Sequence, residues 1–328
     1  IQVQKQTFYG NMKCLGFSKE TAIREQYSAI HGKKSSCGNI GNAFTMYLEN
    51  PQKQKLDIEF RVYNDGVCFR YALSENQSDS LLFINEFTTY RIHQESDRWM
   101  QKYVPHYEGD FPHEKGNVSQ GEWGYPALIR HNGCWALLTE ANIDRNYCAT
   151  HLTNAAHCEF YQIAYPHKEE GNGVGSIHPA TQTPWFSPWR VIILGELKNI
   201  VESTLVEDVS TPCFLTETDW ILPGSASWIY WAYNHGTKDY RKCCEYVDLA
   251  ASMHWKYVLF DWEWDQMQNG GTLEDAADYA VSKGVKPLIW YNSGGTHNRV
   301  SSSPRDRLIT KENRNREFRK LKEMGFAG

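Results

Sequence analysis

Three short runs in the C-terminal third combine carboxylates, amides and large aromatic rings in the way a sugar-handling site would: Trp228-Ile-Tyr-Trp-Ala-Tyr-Asn-His235, Phe260-Asp-Trp-Glu-Trp-Asp265 and Trp290-Tyr-Asn-Ser293. Each follows or contains an apolar stretch of strand character. Asp261 comes directly after Val258-Leu-Phe260, where a carboxylate has no part in strand packing. At the mouth of a site it would accept hydrogen bonds from hydroxyl groups; otherwise it is a structural carboxylate satisfied by backbone or arginine. The rings are equally two-sided. The apolar face of a pyranose stacks on an aromatic ring, and so do core neighbours. Glu263 and Asp265 lie where a loop would turn outward and are weaker candidates.

Other chemistries lack their patterns. Gly171-Asn-Gly-Val-Gly175 does not open a helix after a strand and reads as a hairpin tip rather than a dinucleotide loop. Gly294-Gly295 has no Walker sequence around it and reads as a turn. There is no His-Glu-x-x-His and no Gly-x-Ser-x-Gly, and His106 and His113 lack a third ligand for zinc. The formal net charge of −5 gives no electrostatic reason to seek nucleic acid or an anionic membrane. The basic run Arg305–Lys322 is interleaved with Asp306, Glu312 and Glu317 and reads as the solvated face of a helix. Nine cysteines without a CxxC pair are expected to be mostly buried thiols.

The elements that would hold these residues fall into two kinds. From Ile1 to about Leu194 the pattern alternates with a period of two. Leu56–Tyr63 and Cys68–Leu73 flank Asn64-Asp-Gly66, a hairpin signal, and Trp135–Leu138 and Arg190–Leu194 read as further strands. This predicts a large antiparallel β-sandwich. After a transition over 196–223, which has room for a short helix, the period changes. Strands are predicted over Ser227–Tyr233, Tyr257–Phe260 and Lys286–Trp290, and helices over Asp239–Met253, Thr272–Lys283 and Thr310–Met324. Strand positions 228, 257 and 286 recur at a step of 29 residues, the rhythm of βα units around a parallel sheet. Gly284 and Gly325 read as helix stops. The expected organisation is a β-sandwich domain with linker over 1–221 and, over 222–328, the first three βα units of a (β/α)₈ barrel. A fourth strand is expected to begin near Gly328, so the chain is expected to continue. In such a barrel the site lies at the C-terminal ends of the strands. That selects Tyr233, Asn234 and His235; Asp261, Trp262 and Glu263; and Trp290, Tyr291 and Asn292.

Six segments in this order resemble glycoside hydrolase family 97: Arg61–Tyr71, Trp123–Ala127, Leu138–Ala141 with Asn146-Tyr147, Ser187–Arg190, Tyr257–Trp264 and Lys286–Ser293. The resemblance implies a β-super-sandwich followed by a catalytic (β/α)₈ barrel, and α-galactosidase or α-glucosidase activity on oligosaccharides. It implies a periplasmic or secreted location, and the net charge leaves no nucleic-acid or membrane partner expected. By the same resemblance Glu140 aligns with a sandwich-domain glutamate that helps bind calcium, the other ligands coming from later barrel loops. Asp261 aligns with a substrate-binding carboxylate, and Trp290 and Asn292 with substrate-contacting and catalytic positions; Trp262 and Tyr233 complete the expected substrate-binding set. The inverting branch of the family has a glutamate base where this chain has Asn292. The retaining branch carries its nucleophile on strand 4. No catalytic carboxylate is therefore expected within the chain; the isolated chain is expected to be inert, and the rest of the barrel is its expected partner. A retaining α-galactosidase is the leading expectation. An α-glucosidase, a non-catalytic carbohydrate-binding relative, and an isomerase or lyase on a similar barrel are the alternatives.

Overall fold

The computed structural model describes residues 1–74, 80–104 and 106–328. Its contacts divide the chain into two compact units, one of residues 1–168 and 176–217 and the other of residues 169–175 and 218–328. The boundary falls just before the expected residue 222, and the glycine-rich turn around Gly173 belongs to the second unit.

The first unit is antiparallel. One large sheet runs in the order His113–Lys115, Asp97–Trp99, Ala127–His131, Cys134–Ala141, Trp189–Gly195, Gly66–Leu73, Lys55–Tyr63, Ser36–Glu49 and Lys13–Phe17. Two smaller sheets accompany it. The run Trp189-Arg-Val-Ile-Ile193 shows why the unit is a sandwich. Trp189, Val191 and Ile193 point to one core with Ile200 and Leu205 of the short helices Leu197–Glu202 and Leu205–Asp208, and with Val209 just after them. Ile192 points the other way, to a core shared with Trp123, Leu152, Tyr161 and Ile163 of a smaller sheet. Both faces are covered, so Val191, Ile192 and Ile193 are apolar in succession.

The hairpin expected at Asn64-Asp-Gly66 is present, with Tyr63 paired to Gly66 across a two-residue loop. Its glycine serves another purpose than the turn. A Cβ on Gly66 would collide with the Ile192 carbonyl and the Leu205 side chain, so the position demands close approach of a neighbouring strand.

The second unit holds a parallel sheet in the order Ala226–Trp228, Tyr257–Phe260, Lys286–Ile289. Helices Tyr240–Ser252, Leu273–Ser282 and Lys311–Glu323 lie between and after the strands, as the 29-residue step predicts. Cys243, Val247 and Ala250 at helical spacing pack with Ala276, Ala280, Val258 and Phe260. Asp239, Thr272 and Thr310 accept hydrogen bonds from the first-turn amides. Gly284 and Gly325 take φ of 74° and 85° as helix stops. Beyond the last helix, Ala327 N–H donates to the Pro287 carbonyl and Ile289 N–H to that of Gly328, at 2.9 and 3.0 Å, so the sheet ladder runs on along Lys286–Ile289.

Two expectations are corrected. The strand predicted over Ser227–Tyr233 ends at Trp228, and Ile229–Trp231 is a 3₁₀ turn. The buried Ile229 side chain lies close against Gly236, which turns the chain early. Tyr233 is consequently not a strand-end residue. The cysteines are also less buried than expected: Cys37, Cys68 and Cys243 are buried, but Cys14, Cys134 and Cys213 are exposed and none is paired. Among the described residues, no helix is long and apolar enough to cross a membrane.

Candidate functional site

Strand Tyr257–Phe260 buries Val258 and Phe260 against the helices and ends at Asp261. The Asp261 side chain is held on both oxygens. Trp228 Nε1 donates to Oδ2 at 2.5 Å and the Trp262 backbone N–H to Oδ1 at 2.6 Å. Trp228 is the last residue of the neighbouring strand, so the parallel register, which sets Trp228 beside Leu259, brings the indole to the carboxylate. Two of the four lone-pair directions are used, and the others remain as acceptors for a hydroxyl-bearing ligand. Trp262 donates from its indole to the Asn234 carbonyl at 2.6 Å. Around them the rings of Trp228, Tyr230 and Trp231 lie 5.3–5.6 Å apart, with Trp231 74% exposed. An exposed, mutually braced aromatic cluster beside a fixed carboxylate can seat a sugar ring.

Glu263, a weaker candidate from sequence, is the most constrained residue here. It adopts φ 65°, ψ 11°, the left-handed region, which is strained for a side chain of this size. Its backbone N–H donates to the Ser303 carbonyl at 2.7 Å. Its carboxylate takes His235 Nδ1 at 2.6 Å and Lys238 Nζ at 2.9 Å. Burial pushes its pKa up, but the hydrogen bonds from His235 and Lys238 outweigh this and hold it below the usual carboxylate range. Lys238 gave no signal in the sequence, because its role exists only once the turn Gly236–Lys238 folds back toward strand Tyr257–Phe260.

After strand Lys286–Ile289, Trp290 continues the ladder to Phe260 and accepts from the Trp264 indole at 2.7 Å. Asn292 differs from expectation. It is 4% exposed and fully engaged by its own loop. Nδ2 donates to the Val300 and Ser302 carbonyls at 3.0 and 3.3 Å, and Oδ1 accepts from Gly295 N–H and Asn298 Nδ2 at 3.1 and 3.0 Å. A primary amide has two donors and two acceptor lone pairs, so this arrangement leaves none for substrate. In this structure Asn292 positions loop 292–302. Tyr233 is half-exposed, with Lys242 Nζ over its ring at 4.9 Å.

Glu140, in the first unit, is not the surface carboxylate its strand position suggests. It sits directly across the ladder from Arg190, and the Arg190 Nη1 donates to its Oε1. Thr150 adds its hydroxyl on Oε1 and its N–H on Oε2, at 2.5 and 2.9 Å. Arg190 is fully buried and also grips Glu86, with Nε on Oε1 at 2.8 Å and Nη2 on Oε2. Burial alone would raise Glu86, but the Arg190 charge and hydrogen bonds hold it below the usual range. Calcium takes six to eight oxygen ligands. Glu140 retains one lone-pair direction on Oε2, so it fits a calcium site as one donor among several.

With this geometry in view, a sequence model described as the N-terminal region of glycosyl-hydrolase 97 matches residues 1–212. The chain belongs to glycoside hydrolase family 97. Two curated relatives are similar to this family 97 chain: a probable retaining α-galactosidase of Streptomyces bingchenggensis, 27% identical over 82% of the chain, and a retaining α-galactosidase of Bacteroides thetaiotaomicron, 21% identical over 87%. The chain spans 42% and 48% of their lengths. Among solved structures, a β-arabinopyranosidase superposes with a TM-score of 0.91 at 30% identity, over 99% of this chain and 54% of its own. A family 97 enzyme from a Pseudoalteromonas strain, solved with panose, shares the fold with a TM-score of 0.72 at 18% identity, over 87% of this chain and 47% of its own.

Proposed function

We propose that the full-length protein is a retaining, exo-acting glycoside hydrolase that releases terminal α-galactosyl residues, and that the second unit described here opens its catalytic (β/α)₈ barrel. The barrel reading is supported by the consecutive parallel strand order and the continuing ladder beside Pro287 and Ile289. It is also supported by Leu259 and Leu288, register partners that remain only half-buried on the sheet face away from the helices. In a closed barrel that face is the packed interior.

The observation that carries the stereochemical reading is Asn292. Inversion needs a carboxylate base that activates water, and an amide already bonded to four partners cannot serve. The names of the curated relatives agree with retention. In a retaining reaction a carboxylate attacks the anomeric carbon as an acid protonates the leaving oxygen. Water then releases the sugar with its configuration kept. Both carboxyl groups are assigned to the remainder of the full-length protein. Within this chain, Asp261 would accept from sugar hydroxyls while Trp228 and Trp262 keep it aimed. Glu140 would offer one oxygen to a calcium ion.

One observation favours a second substrate: the β-arabinopyranosidase is 30% identical over 99% of the chain. A β-L-arabinopyranoside has the ring stereochemistry of an α-D-galactoside and lacks only the C6 hydroxymethyl group. A site for one ring therefore admits or rejects the other at that single substituent. The full-length protein should be assayed on nitrophenyl α-D-galactoside, β-L-arabinopyranoside and α-D-glucoside, with product anomers followed by proton NMR in the first minutes. Initial α-galactose, or initial β-arabinopyranose, is expected. First appearance of the opposite anomer would overturn retention, and turnover of the glucoside alone would overturn the substrate class.

A further inference from the structure

Glu122, His151 and His167 come together in the first unit although they are far apart in sequence and match no metal-binding spacing. Glu122 lies in strand Gly121–Trp123, at the edge of a four-stranded sheet. His151 starts the next strand, His151–Asn154, and His167 follows the third, Phe160–Ala164. The antiparallel register pairs Trp123 with Leu152 and His151 with Ala164, which draws all three side chains to one end of the sheet.

The carboxylate stands between the imidazoles. His167 Nε2 is 2.8 Å from Glu122 Oε2, and His151 Nε2 is 3.6 Å from Oε1. One ligating atom from each residue falls within 4.8 Å of the others. The 3.6 Å separation is too long for a hydrogen bond. It is close to the edge of a tetrahedron around zinc, ~3.3 Å for bonds of about 2.05 Å. Closing the set requires small movements of Glu122 and His167, whose side chains are 42% and 48% exposed. His151 is the fixed member. It is fully buried and stacks on Tyr103 with centroids 3.9 Å apart and planes within 10°. His106 and His113, set aside from the sequence for want of a third ligand, have other partners: His113 is bonded to Asp97 and His106 accepts from the Glu108 amide.

We propose that Glu122, His151 and His167 form a binding site for a zinc-class dication. Two imidazole nitrogens and one carboxylate suit zinc and its neighbours, and disfavour calcium, which takes oxygen. Three protein ligands on an exposed sheet end leave a fourth position for water. The metal would fasten three segments of one sheet edge. Any calcium at Glu140 is a separate matter, with different donors and a different metal.

The test uses full-length protein without a histidine tag, stripped by chelator and titrated with zinc, cobalt or calcium. Zinc is expected to bind at one equivalent per chain and, at about 100-fold excess over its Kd, to raise by ~5–10 °C the Tm of the transition in which the first unit, about 200 residues, unfolds. Cobalt should give the intense visible absorption of a four-coordinate site. His167→Ala and Glu122→Gln alter exposed side chains and should leave the circular dichroism unchanged while weakening zinc binding by ~100-fold or more. Zinc affinity equal in the wild type and both variants would mean adventitious surface binding and would overturn the proposal. So would a stripped protein that takes up no zinc, or a Tm shift produced by calcium and lost in His167→Ala.

Discussion

Replacing Arg190 with leucine removes the cationic partner shared by Glu86 and Glu140. Three charge-assisted hydrogen bonds disappear, two on Glu86 and one on Glu140. At roughly 1.5–3 kcal/mol each the gross loss would be ~5–9 kcal/mol. The protein has a less costly way out, since Glu86 can take up a proton. For a carboxyl of ordinary pKa near 4.3 that costs about 3.7 kcal/mol at pH 7 and about 1 kcal/mol at pH 5. The expected loss at pH 7 is therefore ~3–5 kcal/mol, in line with a buried pair broken from one side. The pH dependence has a definite sign. In the wild type Glu86 is held below its ordinary range, so its contribution is present above the unfolded pKa and lost as the pH falls through the folded one. In Arg190→Leu the buried Glu86 would rise above the unfolded value, and acid would stabilise the folded state. The deficit should shrink by ~2–3 kcal/mol between pH 7 and pH 5. Urea denaturation of the full-length protein, followed through the fluorescence of core tryptophans such as Trp189, measures it at both pH values. A deficit below about 1 kcal/mol at pH 7, or the same deficit at both pH values, would refute the assignment of Arg190 as the neutralising partner.

Glu140→Gln should fold, because Glu86 still holds Arg190 on two sides, but it should weaken calcium binding and activity together, with excess calcium restoring part of the activity; an unchanged calcium titration removes Glu140 from any calcium site. Asn292→Ala should cost ~1–3 kcal/mol and expose loop 293–302 to faster hydrogen exchange, and Asn292→Asp should be no better, since a carboxylate would face the Val300 and Ser302 carbonyls; unchanged exchange in both would return Asn292 to the substrate-contact reading. Glu263→Gln should reduce acid sensitivity: the wild-type carboxylate is held below its usual range, so its stabilising effect is full above the ordinary glutamate pKa and fades as the pH falls through the lowered one. Parallel Tm profiles of wild type and Glu263→Gln from pH 7 to pH 3 would contradict that.

Much of the architecture follows from patterns a few residues long. Alternation over Leu56–Tyr63, helical spacing in Cys243, Val247 and Ala250, the capping residues Asp239, Thr272 and Thr310, and the stops at Gly284 and Gly325 all act within one or two turns of chain. Periodicity and capping are local, so the sequence by itself determined the antiparallel and βα regions, the helix ends and Asp261 at a strand end. What it could not determine depends on register and on segments distant in sequence. Arg190 meets Glu140 because those strands pair in one register, and Glu86 joins from elsewhere in the chain. Loop 292–302 closes on Asn292 and uses every hydrogen-bonding position of the amide that residue type alone would offer to a sugar. Glu122, His151 and His167 converge through two strand pairings that no local spacing encodes. A side chain's type states what chemistry it can do; its neighbours, chosen by tertiary packing, decide whether its lone pairs and protons are left to do it.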